Sequence, residues 1–265
     1  MDDIPGFTCT ELTFLDRTRP VFRAGAGPAV IVMTEVPGIT PEVARFATWV
    51  AQAGFSVWMP QFIGTPLKPI SPGYVAKTLA RICISREFRL LAANECSPIV
   101  DWMRALARHA HGECGGPGVG AIGMCLTGNF ALSMMLDAPV IAPVLAQPSL
   151  PAAPMPSMRA ALHASPEALA AAHEKIEQHG ARILGVRFHR DPMCPPERFA
   201  RLREEFGSAF EGIEIDPRHA KRGLPGPAHS ALTTHLLDEA GQPTRAALDR
   251  TLAFFREQLK AQSRS

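Results

Sequence analysis

The chain has 265 residues, of which 46% are hydrophobic and 20% charged, so it is long enough to bury the core of one α/β domain. Its 27 Lys and Arg residues nearly balance its 25 Asp and Glu residues, which excludes a disordered chain and a strongly basic surface for nucleic acid or anionic membranes. Its six cysteines are too few for a disulfide scaffold and are typical of a reduced intracellular protein.

Short apolar segments alternate with amphipathic segments along the chain. Apolar, β-branched runs predict strands, and apolar residues spaced three and four apart predict helices. The predicted strands are residues 29–34, 55–59, 119–124, 140–145, 182–188 and 210–215, preceded by an edge hairpin of residues 10–15 and 19–23. The predicted helices are residues 41–53, 98–111, 126–136, 166–179, 195–206 and 243–259.

This order of elements predicts the fold class. Strands that alternate with helices indicate βαβ crossovers, and therefore a mostly parallel, doubly wound sheet with helices on both faces. No internal repeat or domain boundary is visible, so we expect residues 1–265 to form a single domain. The proline-rich residues 147–158 follow the fourth buried strand, and we expect an insertion near residues 147–165.

Cys125 is the candidate nucleophile. It follows the strand of residues 119–124 directly and lies between Gly123 and Gly128, which is typical of the sharp strand-to-helix turn that exposes a nucleophile in α/β-hydrolases. A helix N-terminus at this position favours a thiolate, and the N–H of Leu126 would face a developing oxyanion. The alternative is a buried structural cysteine, which the flanking glycines disfavour.

A thiol nucleophile needs a base and a residue that orients the base. Asp191 lies beyond the fifth buried strand and His229 beyond the sixth, so the order from nucleophile to acid to histidine is that of α/β-hydrolases. Asp191 also precedes a proline, so the alternative interpretation is an aspartate that only forms a turn. His189 and His219 are competing candidates for the base.

Glu35 follows the first buried strand directly. A carboxylate at this place is costly unless it is paired, protonated or functional. The same loop would supply a second oxyanion donor, the N–H of Val36. A solvated glutamate at the end of a strand is the alternative interpretation.

Four motifs resemble those of the dienelactone hydrolase family, a cysteine branch of the α/β-hydrolases. They are residues 123–128 around the cysteine, Glu35 on its loop, Asp191 with Pro195, and residues 228–230 around the histidine. The resemblance runs from about residue 29 to residue 259 and implies an α/β-hydrolase fold.

The resemblance also implies a role for each motif. Cys125 would be the nucleophile, His229 the base and Asp191 its orienting partner. Glu35 would contact the cysteine and help to generate thiolate when substrate arrives. The implied activity is that of a carboxylic ester hydrolase of the carboxymethylenebutenolidase type, which cleaves a cyclic enol ester through an acyl-cysteine intermediate without a metal or cofactor.

The two substrate-binding arginines of the family are only partly matched in this chain. Members that act on dienelactone carry an arginine four residues after the histidine, and Thr233 stands at that place in this chain. The second family arginine, from the segment before the nucleophile, matches Arg81 or Arg86. We therefore expect a small ester or lactone other than an ordinary dienelactone.

Two further hypotheses remain open from the sequence: a non-catalytic binding protein on the same fold, and a thiol redox sensor in which Cys125 pairs with Cys194. A metal site is not expected, because His109, His111 and Cys114 lack a fourth ligand of suitable spacing. With no basic or apolar leader and no membrane-length apolar run, we expect a cytoplasmic monomer or weak homodimer. Its partner would be a small molecule, with no nucleic acid and no membrane.

Overall fold

The computed structural model of the protein describes residues 3–84, 97–149, 156–224 and 226–260. The strands are β1 (Thr8–Phe14), β2 (Arg17–Ala24), β3 (Ala29–Met33), β4 (Ser56–Pro60), β5 (Val119–Met124), β6 (Val140–Ala146), β7 (Ile183–Phe188) and β8 (Phe210–Ile215). The α-helices are α1 (Pro41–Gln52), α2 (Pro72–Ile84), α3 (Pro98–Cys114), α4 (Phe130–Ser133), α5 (Pro156–Ala160), α6 (Pro166–His179), α7 (Pro196–Phe206) and α8 (Pro243–Leu259).

The eight strands form one sheet in the order β1-β2-β4-β3-β5-β6-β7-β8. Strands β1 and β2 form an antiparallel hairpin, and β2 pairs antiparallel with β4. All pairs among β3 to β8 are parallel. The predicted edge hairpin and the predicted mostly parallel sheet are both confirmed. The fold is that of the α/β-hydrolases.

The topology places a crevice at the carboxyl ends of β3 and β5. The chain leaves β3 through α1 to reach β4 on one side, and then returns through α3 to β5 on the other side of β3. Ligands of parallel sheets bind where the strand order reverses in this way. The segments that follow β3 and β5 carry Glu35 and Cys125, so both residues lie at this crevice.

Burial and capping explain the strands and helices. Every residue of β3, β5, β6 and β7 is buried, as a parallel sheet covered on both faces requires. α1 begins where the Thr40 side chain accepts a hydrogen bond from the N–H of Val43, and Ser165 caps α6 in the same way. Gly180 ends α6 with φ at 62°.

Three helices differ from the sequence-based prediction, among them the short α5, which begins in the proline-rich segment and was not predicted. The segment predicted as a helix over residues 126–136 is a 3₁₀ turn, Cys125–Asn129, followed by the short α4. α2 was not predicted, although Pro72 at its start is typical of a first helical turn. None of the described helices is long and apolar enough to cross a membrane.

Candidate active site

Cys125 lies on a strained turn between β5 and the 3₁₀ turn. Its φ is 58°, a left-handed conformation that residues other than glycine rarely adopt. The side chain is half-buried, so the turn lifts the sulfur out of the sheet and leaves one side accessible. This is the geometry expected of a nucleophile held at the end of a strand.

The turn around Cys125 depends on Gly123 and Thr127. A Cβ on Gly123 would lie 2.0 Å from the carbonyl oxygen of Thr127, so only glycine fits there. The Thr127 hydroxyl accepts a hydrogen bond from the N–H of Met124 at 2.9 Å. It also lies 3.1 Å from the carbonyl oxygen of Thr34, at the end of β3. Threonine at this position therefore ties the turn of the nucleophile to the segment that carries Glu35.

His229 and Asp191 form a buried pair beside the cysteine. Nδ1 of His229 lies 2.7 Å from Oδ2 of Asp191, and the Asp191 side chain is fully buried. The other carboxylate oxygen of Asp191 accepts a hydrogen bond from the N–H of Met193 at 3.0 Å, so the carboxylate is held from both sides. This pairing directs Nε2 of His229 away from Asp191, and Nε2 is buried without a hydrogen-bond partner among the described residues.

The pKa of His229 is raised. Burial acts to lower this pKa, but the charge of Cys125 and the hydrogen bonds and charge of Asp191 outweigh burial and raise it to about 10. The raised pKa favours the protonated form of the imidazole. A protonated imidazole stabilises a neighbouring thiolate, which is the nucleophilic form of cysteine.

Glu35 is a buried carboxylate held by hydroxyl groups. It is 2% exposed and accepts hydrogen bonds from the Ser230 and Thr233 hydroxyls, each at 2.5 Å, and from the amide of Gln147 at 3.4 Å. Burial raises the pKa of Glu35, while the two hydroxyls act to lower it. The hydrogen bonds described for Glu35 come from these donors, and its contact with Cys125, which the resemblance implies, stays a prediction.

His235 supports the segment that carries the base. Its Nδ1 accepts a hydrogen bond from the N–H of Ser230 at 3.2 Å, which requires that nitrogen to be unprotonated. Burial and the nearby positive charge of His229 lower the pKa of His235 to about 4. His235 is therefore neutral at physiological pH and acts as a hydrogen-bond acceptor.

The turn after β6 is hydrogen-bonded to the turn that carries Cys125. The N–H of Ser149 donates to the carbonyl of Cys125 at 3.0 Å, and the amide of Asn129 donates to the carbonyls of Ser149 and Leu126 at 2.8 and 3.1 Å. Arg198, which is 1% exposed, donates to the carbonyl of Pro148 at 2.6 Å. These contacts fix the backbone on which the nucleophile and the expected oxyanion donor Leu126 lie.

Two adjoining cavities open onto these residues. The inner cavity, of about 200 Å³, is lined by Cys125, Leu126, Val36, His229 and other residues. The outer cavity, of about 450 Å³, shares Val36 and His229 with it and reaches Glu35. Its remaining lining is mostly apolar and includes Pro69, Ile70, Val75, Met193 and Leu224. The candidate nucleophile Cys125, the candidate base His229 and the residues Leu126 and Val36 therefore line one cavity.

Of the two predicted arginines, only Arg81 lies among the described residues. Arg81 lies exposed on α2 and lines neither cavity, and Arg86 lies outside the described residues. Cys194 is buried, and burial together with the charge of Asp191 raises its pKa to about 12, which makes it a poor partner for thiol exchange. Among the described residues, no cluster of His, Cys, Asp and Glu could hold a metal ion.

Sequence reasoning missed the residues that hold Glu35. Ser230 follows His229 directly, yet nothing local in the sequence shows that its hydroxyl reaches a carboxylate 195 positions away. Gln147 lies in the proline-rich segment, which was interpreted as an excursion near the pocket. Nothing in the sequence around Thr127 predicts that its hydroxyl joins two segments of the site. The only available signal was the succession of hydroxyl residues after His229.

Comparisons with known proteins agree with this architecture. A proposed dienelactone hydrolase from Klebsiella pneumoniae subsp. pneumoniae has a TM-score of 0.62 at 16% identity, over 95% of this chain and 99% of that one. A dienelactone hydrolase from Anabaena variabilis has a TM-score of 0.56 at 14% identity, over 96% and 98%. A dienelactone hydrolase-like promiscuous phosphotriesterase from metagenomic libraries has a TM-score of 0.57 at 18% identity, over 96% and 99%.

These identities are low, so the solved structures show a shared fold and no more. A comparison with curated protein sequences finds no match. The model of the dienelactone hydrolase family, in contrast, matches residues 19–258, which is most of the chain. The chain therefore belongs to the dienelactone hydrolase family of α/β-hydrolases.

Proposed function

We propose that the protein hydrolyses a small carboxylic ester or lactone through an acyl-cysteine intermediate, with Cys125 as nucleophile, His229 as acid and base, and Asp191 as the residue that orients His229. The observation that carries this proposal is the 2.7 Å contact between Nδ1 of His229 and Asp191, which leaves Nε2 for the space that Cys125 also lines. Family membership supports hydrolysis as the reaction class.

In the first half of the reaction, the thiolate of Cys125 attacks the carbonyl carbon of the substrate. The negative charge that develops on the carbonyl oxygen is stabilised by the N–H groups of Leu126 and Val36. The imidazolium of His229 then gives its proton to the departing alkoxide. The carbon–oxygen bond breaks, and the alcohol leaves with that proton while the acyl group stays on sulfur.

Acylation of Cys125 lowers the pKa of His229, which favours the second half of the reaction. The charge of Cys125 contributes to the raised pKa of His229, and this charge disappears when the sulfur forms a thioester. Having lost its proton to the alkoxide, His229 therefore stays neutral more readily in the acyl-enzyme. It can then take a proton from water as the water oxygen attacks the thioester carbon. The carbon–sulfur bond breaks, the acyl group leaves as the carboxylic acid, and the thiolate and the imidazolium are regenerated.

The test is acylation by p-nitrophenyl acetate, followed by rapid acid quench and intact-mass measurement, together with steady-state release of p-nitrophenol. We expect Cys125→Ala to remove both the acetyl adduct and the turnover while the circular dichroism spectrum is kept. Cys114→Ala is the matched control, since Cys114 is a partly exposed free cysteine at the end of α3. It should behave as the wild type.

Two results would contradict the proposal. Turnover that survives in Cys125→Ala would move the nucleophile elsewhere. A wild-type protein that forms no adduct and releases no p-nitrophenol would instead favour the non-catalytic binding protein. The same measurements with dihydrocoumarin as substrate extend the test from open-chain esters to lactones.

A further inference from the structure

The outer cavity carries carboxylates where a carboxylate-binding site would carry arginines. Glu35 forms part of its wall, and Glu42, in the first turn of α1, forms another part. The two carboxylates are close enough for the charge of Glu42 to raise the pKa of Glu35. Among the described residues, no Arg or Lys lines either cavity.

The histidines of this cavity do not supply a free positive charge. His235 is held neutral by burial and by the charge of His229, which lower its pKa to about 4. Asp191, at 2.7 Å from Nδ1 of His229, already pairs with the charge that His229 carries when protonated. A substrate carboxylate in the outer cavity would therefore lose water and meet no unpaired cation on the described walls.

Glu35 cannot easily turn away from such a group. One of its oxygens accepts from Thr233 and the other from Ser230 and Gln147, so the carboxylate is fixed on the wall of the cavity. Most of the rest of that wall, including Pro69, Ile70 and Leu224, is apolar. The surface as a whole suits a group that is apolar and either uncharged or positively charged.

We propose that the outer cavity sets the charge specificity of the enzyme: it accepts substrates whose distal group is neutral or cationic and rejects those that carry a carboxylate there, with Glu42 and Glu35 as the residues that determine the choice. This inference rests on the proposed ester hydrolysis and narrows its substrate class. It is the reverse of what a substrate-binding role of Arg81 or Arg86 would produce.

The experiment compares three esters of equal length and different charge. They are the p-nitrophenyl esters of hexanoic acid, ω-trimethylammoniohexanoic acid and adipic acid (as the monoester). A second series carries the same three end groups on the alcohol side of an acetate ester, because either half of the substrate could fill the outer cavity. In at least one series we expect kcat/KM of the neutral and cationic esters to exceed that of the anionic ester by more than about tenfold.

Two further measurements distinguish an effect of the charge of Glu42 from an effect of the shape of the cavity. Glu42→Gln keeps the size of the side chain, so it should raise the ratio of kcat/KM of the anionic ester to kcat/KM of the neutral ester at least about threefold. Glu113→Gln is the matched control, because Glu113 lies near the end of α3, just before β5 begins, and so at the opposite edge of the sheet. Raising the salt concentration from about 0.02 M to about 0.5 M should also narrow the discrimination, since salt screens charges.

The proposal is overturned if the anionic ester is turned over as fast as the neutral ester, or faster, in both series. Preference for the anionic ester that is lost in Arg81→Ala or Arg86→Ala would identify a substrate-binding arginine instead. Methyl ketone analogues of the three acids, tested as protectants of Cys125 against iodoacetamide, measure the same order without turnover. They therefore distinguish a wrong charge preference from a failure of the proposed hydrolysis.

Discussion

The hydroxyl of Thr233 provides a quantitative test of the buried carboxylate. Thr233 is 1% exposed and donates to Glu35 at 2.5 Å, and valine has nearly the same shape without the hydroxyl. Removing a hydrogen bond to a buried charged group costs about 1.5–3 kcal/mol. We therefore expect Thr233→Val to lower the free energy of unfolding by about 2 kcal/mol at neutral pH, measured by urea denaturation with an unchanged m value.

The pH dependence of this loss follows from the raised pKa of Glu35. Between the ordinary value of 4.5 and the raised value, the folded protein binds the Glu35 proton more tightly than the unfolded chain does, so this group lowers the stability as the pH rises through that window. Thr233→Val removes a donor to the ionised form and raises the pKa of Glu35 further. The stability lost in the variant should therefore be largest above the window and smaller below it.

Thr234→Val is the matched control for the same experiment. The hydroxyl of Thr234 is buried without a hydrogen-bond partner among the described residues, so its removal should change the stability by less than about 0.5 kcal/mol. If Thr233→Val and Thr234→Val lose the same stability at every pH, the hydrogen bond to Glu35 does not stabilise the fold and the reasoning is wrong.

Three other predictions concern the turn and the base. Asp191→Asn should lower kcat by roughly 10²–10⁴ and shift the pH dependence of alkylation of Cys125 by iodoacetamide; a wild-type profile would contradict the assigned pairing. Cys125→Ala should lower the pKa of His229 from about 10, measured by NMR of the imidazole, and an unchanged value would show that the sulfur is not its neighbour. Gly123→Ala should lower the stability by at least about 2 kcal/mol because its Cβ would meet backbone at 2.0 Å, whereas Gly112→Ala, a helical site with open space around it, should raise it by up to about 1 kcal/mol. Equal effects of these two substitutions in chemical denaturation would exclude the steric explanation.

Much of the fold could be predicted because its strands are buried on both faces. A strand such as Ala29–Met33 consists of apolar residues throughout, so its pattern depends on no distant residue. The segment after Cys125 was harder to predict, because its composition favours a helix while the close approach of Gly123 to the following turn imposes a 3₁₀ conformation. Local composition cannot report a contact of that kind.

The same distinction, between what a local pattern predicts and what depends on distant contacts, applies to the candidate site. Cys125, Asp191 and His229 could be placed from the order of motifs and from the ends of strands, since parallel strands bring their carboxyl ends to one edge. The hydrogen bonds to Glu35 from Ser230 and Thr233 join residues almost two hundred positions apart. Such contacts follow from the packed structure alone, and so the environment of the carboxylate could not be predicted.

The seven residues from His229 to His235 have a consequence for engineering and for natural variation. The same short stretch carries the proposed proton-transfer group, His229, and donates two hydrogen bonds to the carboxylate of Glu35 through Ser230 and Thr233. At its far end, the imidazole of His235 accepts a hydrogen bond from the N–H of Ser230. A change of substrate preference made at Thr233 will therefore also disturb the catalytic geometry at His229. An exchange of loops between relatives should therefore succeed only when residues 229–235 are exchanged as one unit, together with the residue at position 35 to which they donate hydrogen bonds.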